Sequence, residues 1–441
     1  MRTHISRRSF LKCAAAGLAG PMILPRLSLA QSANGKLQHA SVGVGGMGWS
    51  DLNSLITHPK FEVVAICDID ETNLAKAAEL LPNARKYRDW REMLAKEEKN
   101  NDSVSVTTPD HMHAPIAMSA INLGKHVYCQ KPLTHELYEA RQLTLAARKK
   151  GVVTQMGIQI HAHIAYRMGA QMLRDGAIGK IKEWHSWSSA TSQVMGRPEG
   201  EDPVPASLDW EGWIGAAPMR PYKNGVYHPF NWRSWQDFGC GAVGDFGCHI
   251  FDPIFMGIQP GPPLSVRAEI SGINDETWPA WEIIHYEFPG NELTVDKTIK
   301  ATWYDGGKQP PRELAALTPE DKMPDTGSMV IGEEGVMILP HWAGPQFFPK
   351  EKFKGIERPK LGPCDHYHQW IDACLGEGQA TANFDYSGPL TEAVLLGNVA
   401  NRLAGQTLEW DAEAMRVKNV EAANALLRRT YREGWAVEGL S

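Results

Sequence analysis

An α/β fold, with an N-terminal Rossmann-type doubly wound parallel sheet and a C-terminal α/β domain on an open, largely antiparallel sheet, is predicted by three features. From Leu37 to Gly157 apolar runs alternate with helical segments, as a parallel sheet with crossover helices requires. A glycine-rich turn, Gly43-Val44-Gly45-Gly46-Met47-Gly48, follows the first apolar run and opens a helix. Beyond Gly157 the spacing shifts to two-residue alternation, as in the segments 182–187 and 281–286.

Each element has a local reason. Residues 40–44 read as the first strand, and the glycine turn leads into a helix through Trp49 and Leu52. Residues 61–67 form the second strand, ending at Asp68, and 103–106 form another. A helix over about 114–123 stops at Gly124, and strands follow at 126–129 and 152–156. Further on, Pro289-Gly290-Asn291 reads as a hairpin turn between Phe288 and Leu293. The stretch 196–235 is dense in Pro and Trp and too long for a bare connector, so it reads as a lid or pocket wall. Residues 388–429 read as helical, with apolar spacing at Val394, Leu395, Val399 and Leu403. The expected organisation is a signal over 1–30, a nucleotide-binding domain over 31–157 and a substrate and oligomerisation domain over 158–441.

The N-terminus carries a transport address. Arg7 and Arg8, within Ser6-Arg7-Arg8-Ser9-Phe10-Leu11-Lys12, resemble a twin-arginine export signal, whose translocon passes folded proteins. The apolar stretch that follows is interrupted by Pro21, Pro25 and Arg26, too early for a membrane span. Ser28-Leu29-Ala30 is a small-x-small cleavage site, so the mature chain is expected to begin near Gln31, in the periplasm or outside the cell. With 441 residues, 43% hydrophobic and 22% charged, the chain suits a two-domain globular protein without a membrane span. A net charge of -6 without a basic patch argues against nucleic acid as a partner. Six cysteines remain after Cys13, with no CxxC spacing, and are expected as buried thiols.

The glycine turn has the chemistry of a dinucleotide site. Gly43 permits a tight turn, Gly45 close approach of a pyrophosphate, and Gly48 close helix–strand packing, with Gly46 and Met47 completing the loop. The helix N-terminus then faces the phosphates with free N–H groups. Asp68, 20 residues past Gly48, is placed to accept hydrogen bonds from ribose hydroxyls and to repel a 2′-phosphate, which favours NAD over NADP. Asp70 competes for the same role.

Thr107-Thr108-Pro109-Asp110-His111-Met112-His113, followed by Cys129-Gln130-Lys131-Pro132, resembles the glucose–fructose oxidoreductase, inositol dehydrogenase and rhizopine catabolism family, Gfo/Idh/MocA. The resemblance covers essentially the whole mature chain. It implies a Rossmann domain and a second α/β domain whose open sheet carries a sugar site and a homo-oligomer interface. The family's Glu-Lys-Pro hallmark puts Lys131 beside the nicotinamide, and its Asp-x-x-x-His helix motif is matched by Asp245 and His249. Thr108, Pro109, His111, His113 and Gln130 then fall near the cofactor. Oxidising an alcohol by hydride transfer needs a base for the hydroxyl proton; His249 titrates near neutrality, four residues from an Asp245 that can orient it.

One position departs from the pattern: Gln130 stands where the family has Glu. A neutral amide either removes a charge that favours protonated Lys131 or keeps the hydrogen bonds and changes little. Both stay open from sequence. Tyr227, His228 and Arg233 are candidate substrate contacts, because pockets combine aromatic rings with a few polar anchors. The x+2 histidine pairs (111/113, 161/163, 366/368) match no zinc signature, and no metal is expected. The expected activity is NAD-dependent oxidation of a sugar or glycoside with a retained, internally recycled cofactor. The alternatives are redox-neutral glycoside cleavage through transient oxidation, and a non-catalytic sugar-binding protein.

Overall fold

The computed structural model describes residues 35–315 and 317–441; the expected export signal lies outside the described residues. Six strands, β1 (Leu37–Val42), β2 (Phe61–Cys67), β3 (Arg85–Tyr87), β4 (Ser103–Val106), β5 (His126–Gln130) and β6 (Thr154–Gly157), form one sheet in the order β3-β2-β1-β4-β5-β6. Every neighbouring pair is parallel. Strands β4 and β5 and the edge strand β6 are buried throughout, as a sheet covered on both faces demands. The strand order reverses between β1 and β4, so a crevice opens at the carboxyl ends of those strands, where doubly wound sheets take their ligands.

The second sheet has nine strands: β7 (Ile181–Trp187), β8 (Ser265–Ile270), β9 (Glu282–Pro289), β10 (Thr298–Tyr304), β11 (Gly327–Gly332), β12 (Val336–Pro340), β13 (Gln346–Phe348), β14 (Leu408–Asp411) and β15 (Arg416–Val417). They run β13-β12-β11-β7-β10-β9-β8-β14-β15, antiparallel except for β7 with β10. Helices Gly241–Ile258 and Phe384–Arg402 pack against this sheet. The Phe384–Arg402 helix also joins the two sheets: Arg141, on the Leu137–Lys150 helix, pairs with both carboxylate oxygens of Glu392 at 2.7 and 2.6 Å.

Four local expectations are corrected. The first strand spans Leu37–Val42, and Val44 instead belongs to the glycine turn, its N–H donating to Asp68. The last Rossmann strand begins at Thr154, not at 152. The connection after Pro289 extends to Thr298, because Leu293 O accepts from Ile181 N and Val295 N donates to Ile181 O, which ties the loop to β7. The C-terminal helix ends at Arg402; Leu408, Trp410 and Val417 are buried, and the first two alternate along β14, which pairs with β8. The stretch 196–235 contains a short α-helix, Trp210–Ile214, and a single 3-10 turn, Asn231–Ser234, and packs Trp210, Trp213, Tyr222, Tyr227 and Trp235 with the following Phe238 into a cluster of its own. The buried Arg220 lies over the rings of Tyr227, Trp235 and Phe238 and pairs with Asp237. Cys67, Cys129, Cys240, Cys248, Cys364 and Cys374 are free thiols, five of them buried. Among the described residues no helix is long and apolar enough to cross a membrane.

Gly48 packs so closely on the turn that an added Cβ would lie 2.0 Å from Gly43 O, a backbone atom that cannot yield cheaply. Gly48→Ala is therefore expected to lower stability by about 1–3 kcal/mol, read as a lower urea midpoint with an unchanged slope.

Candidate active site

The cofactor end is built by three local devices. Gly43 holds φ 78°, and a Cβ there would lie 2.3 Å from Thr107 O, so the turn passes directly against the end of β4. Gly46 is the N-cap of the Met47–Leu55 helix and has no side chain to engage the first-turn N–H groups, and that turn carries no acid. Trp49 N donates to Gly45 O at 3.3 Å, and the N–H groups of Met47 and Gly48 ahead of it face outward for an anion. Gly45 faces Asn73, whose side chain a Cβ would meet at 2.3 Å. Asp68 accepts from Val44 N and Asp70 N, each at 2.9 Å, and burial pushes its pKa up against those bonds. The Asn73 side chain also donates to it, which leaves one lone pair of the carboxylate for a ribose hydroxyl. Asp70 is instead engaged by Thr72 N, as the N-cap of the Glu71–Leu80 helix. This cradle fits a dinucleotide.

At the other end, Lys131 directly follows β5 and reaches the Gly241–Ile258 helix. Its Nζ donates to Asp245 Oδ1 at 2.5 Å and to Asp245 O at 3.0 Å. Arg233 Nε stands 3.7 Å from the same Oδ1, with its guanidinium 4.3 Å from the ring centres of Phe230 and Trp232. Burial pushes the Asp245 pKa up, but Lys131 and Arg233 outweigh it and hold the carboxyl below its usual range. His249 lies one turn further along the helix, with Nδ1 sealed and without a hydrogen-bond partner. Burial first, then the charge of Lys131, drives its pKa well below the ordinary histidine value. Asp245 thus binds Lys131 rather than orienting His249, which corrects the expected pairing. The His249 ring instead neighbours His341, 5.8 Å between centres, and His341 Nδ1 meets Tyr166 OH at 2.9 Å.

Gln130 acquires a specific partner. Its Nε2 donates to Asp51 Oδ2 at 2.8 Å and Oδ1 at 3.1 Å, while its Oε1 accepts from Lys131 N at 3.2 Å. Asp51 is 1% exposed and also accepts from Thr107 Oγ1, Tyr367 OH and Gln159 Nε2. Burial raises its pKa against these four neutral donors. Position 130 thus links Asp51 to the Lys131 backbone through an amide, and Asp51 itself makes no hydrogen bond to Lys131.

Other expected contacts lie elsewhere. His111 is wholly buried, its nitrogens facing Phe238 O and Trp213 O, and His113 faces Pro132 O and Thr108 O, both at 2.8 Å. These two rings fasten the loop after β4 instead of opening toward a cofactor. Thr108 does sit just past the carboxyl end of β4 beside Gly43, with its Oγ1 sealed, and Pro109 follows it as the N-cap of the turn Asp110–Met112. Tyr227 is 1% exposed inside the aromatic cluster, and His228 Nε2 lies 3.8 Å from Asp70, at the ribose end rather than beside Lys131. Arg233 alone of the three substrate candidates meets the Lys131–Asp245 pair. Sequence reasoning passed over Asp51, Asp110, Tyr166 and His341. Asp51 carried a signal: with Gly48, Leu52 and Leu55 it lies on the buried stripe of its helix, where an unpaired acid is costly. Asp110 Oδ2 accepts from Cys240 N and so fixes the start of the Asp245 helix. Among the described residues no cluster of three or more His, Cys, Asp or Glu is arranged to hold a metal ion.

Two family descriptions match the chain: an oxidoreductase family with an NAD-binding Rossmann fold over residues 37–158, and the C-terminal α/β domain of that family over 184–302. A levoglucosan dehydrogenase of Pseudarthrobacter phenanthrenivorans is 27% identical over 179 residues, 40% of this chain and 38% of the relative. A glycosyl hydrolase family 109 protein of Stenotrophomonas maltophilia is 30% identical over 192 residues, 40% of each chain. The chain thus matches less than half the length of either relative. The WlbA dehydrogenase of Chromobacterium violaceum, solved with NADH and UDP-GlcNAcA, shares the fold with a TM-score of 0.61 at 18% identity, covering 86% of this chain and 96% of its own.

Gln130→Glu places a second carboxylate against Asp51, and two such groups hold one proton between them. The pair's folded pKa then stands above the unfolded value. The variant should match the wild type near pH 4 and lose stability as pH rises. The loss reaches about 3 kcal/mol at neutrality when the folded pair holds its proton about a hundredfold more tightly than the unfolded chain does. Urea midpoints across pH check this, and adding Asp51→Asn should close most of the gap.

Proposed function

The chain belongs to the Gfo/Idh/MocA oxidoreductase family, and from that premise we propose that it oxidises a hydroxyl of a sugar or glycoside by hydride transfer. The observation that carries this is the Lys131 ammonium, fixed on Asp245 at the carboxyl edge of the parallel sheet with Arg233 opposite and His249 one turn away. Bound NAD supplies the hydride acceptor in that crevice. Lys131 donates to the substrate hydroxyl oxygen and stabilises its developing negative charge. His249, kept neutral by burial and by the Lys131 charge, accepts the hydroxyl proton. Arg233, over Phe230 and Trp232, anchors a ring hydroxyl beside them.

The export signal Ser6–Lys12 ahead of a glycine cradle supports a cofactor loaded before transport and retained, with the hydride returned to a second sugar or to the same substrate. We assign the protein to the periplasm or the exterior on that sequence. We propose a homo-oligomer through the nine-stranded sheet, a reading supported by the alternation of buried and less buried positions along β9. The likeness to the family 109 hydrolase supports a second reading, redox-neutral glycoside cleavage, in which the hydride returns after a bond to the leaving sugar is broken.

Protein denatured after extensive dialysis should release NAD; an empty protein would end the retained-cofactor proposal. Lys131→Ala and His249→Ala should each lower turnover by roughly two to four powers of ten with NAD content unchanged. Because the His249 pKa is lowered, its base form persists as pH falls, so the acid limb of kcat/KM should lie below about 6.5. Product analysis separates the readings: a keto-sugar supports oxidation, a shorter glycan supports cleavage, and full activity in His249→Ala contradicts both assignments of the base.

A further inference from the structure

Beyond His249 a row of rings leads from the proposed base to the protein surface. The His249 ring centre lies 5.8 Å from that of His341, and Phe246 stands 6.4 Å from both. His341 in turn lies 5.4 Å from Trp342, whose indole packs edge-on against His163 at 5.2 Å. The middle of the row is fixed, because His341 Nδ1 meets Tyr166 OH at 2.9 Å. Burial first, then the neighbouring His163 and Lys131, bring the His341 pKa down to about 4, so that ring is neutral near pH 7.

Trp342, at the outer end, is poorly explained by packing. It is 54% exposed, whereas Trp184, Trp187, Trp235, Trp303 and Trp370 are wholly buried. Its φ of 64° lies in the left-handed region. Ala343 N donates to Pro340 O at 3.2 Å and closes a turn in which Trp342 is the third residue, a place that favours glycine or asparagine. A bulky side chain there costs free energy, and an indole left half in water recovers little of it. Residues held in such conformations concentrate at ligand sites. An indole face next to a neutral imidazole suits the C–H face of a pyranose, which carries no charge and keeps its hydroxyls in water. A sugar ring oxidised at Lys131 and His249 leaves Trp342 for the ring after it, since His341 intervenes.

We propose that Trp342 is the platform for the second ring of the substrate, so that the protein selects a glycoside of two or more sugar rings over a single one. This rests on the oxidation proposed above, which sets the first ring at His249. His341 and Tyr166 are positioning residues: they fix the spacing between the reacting ring and the platform.

The test uses NAD-loaded protein and matched probes: methyl α-glucoside with maltose, methyl β-glucoside with cellobiose, and methyl β-galactoside with lactose. Binding is read without turnover from the indole N–H resonances of nitrogen-15-tryptophan protein, the Trp342 signal being assigned by its loss in Trp342→Phe. At least one disaccharide should shift that signal while its methyl glycoside leaves it in place. Trp342→Gly should lower kcat/KM for that disaccharide relative to its methyl glycoside by about tenfold, the worth of one aromatic contact. Trp342→Phe should restore most of the ratio. Because glycine tolerates the left-handed turn, Trp342→Gly should also keep or raise the urea midpoint. A Trp342 signal unmoved by all of the disaccharides, an unchanged kcat/KM ratio, with or without a change of oligomeric state, or a lower urea midpoint would each overturn the proposal. A shifted Trp342 signal without nicotinamide reduction would instead contradict the oxidation on which it rests.

Discussion

Everything proposed for the crevice depends on one ion pair that crosses from the first sheet to the second domain, Lys131 with Asp245. Its two ends are held from different parts of the chain. Lys131 follows the last residue of β5, with its N–H on the Gln130 side chain. Asp245 sits in the second turn of a helix whose start is tied by Asp110 to Cys240 N and by Glu282 to Val243 N. The pair is largely withdrawn from water, with side chains 17% and 24% exposed. Removing one partner of such a pair strands the other's charge, at a cost of about 3–5 kcal/mol where burial is complete. The contact therefore sets the distance between the cofactor cradle and the helix that carries His249, and it keeps a positive charge where a substrate oxygen gains negative charge.

The one departure from the family hallmark, Gln130, faces a neighbouring carboxylate. Asp51 is buried, and each of its donors, Gln130, Thr107, Tyr367 and Gln159, is neutral. A hydrogen bond to an ionised group contributes about 1.5–3 kcal/mol, so several are needed to offset the desolvation of one carboxylate. Glutamate at 130 would replace a donor with a second acceptor. Glutamine serves both directions, giving its amide N–H groups to Asp51 and its carbonyl to Lys131 N. The Gln130 amide and the Asp51 carboxylate thus complement each other across 79 positions of the chain.

The parts of this arrangement legible in sequence were those with local periodicity. Phe61–Cys67 and Ser103–Val106 were bounded correctly because apolar runs ended at turn residues, and the parallel-then-antiparallel architecture followed from the change of period. The approach of Lys131, Asp245 and Arg233 was legible through motif resemblance and residue chemistry. The pairing within that group was not: Asp245 and His249 share a helix face, yet the ammonium of Lys131 takes the carboxylate because a charged partner outcompetes a neutral imidazole. Tyr227 and His228 were misplaced for a related reason. A dense polar-aromatic loop signals a pocket and a private core equally well, and Arg220, buried among the rings, decides for the core. The strands after Arg402 were hidden because two short runs with alternate spacing lie beside a long helical pattern.

The most direct measurement of the central contact is single-turnover nicotinamide reduction in NAD-loaded Asp245→Asn, with cofactor content determined on the same sample. Loss of the carboxylate frees the Lys131 ammonium from its fixed position without touching the cradle at Gly43–Gly48 and Asp68. The expected result is a hydride-transfer rate lower by about two powers of ten at unchanged NAD content. A rate within a few-fold of wild type, or loss of the cofactor in step with loss of rate, would contradict the role given to this pair.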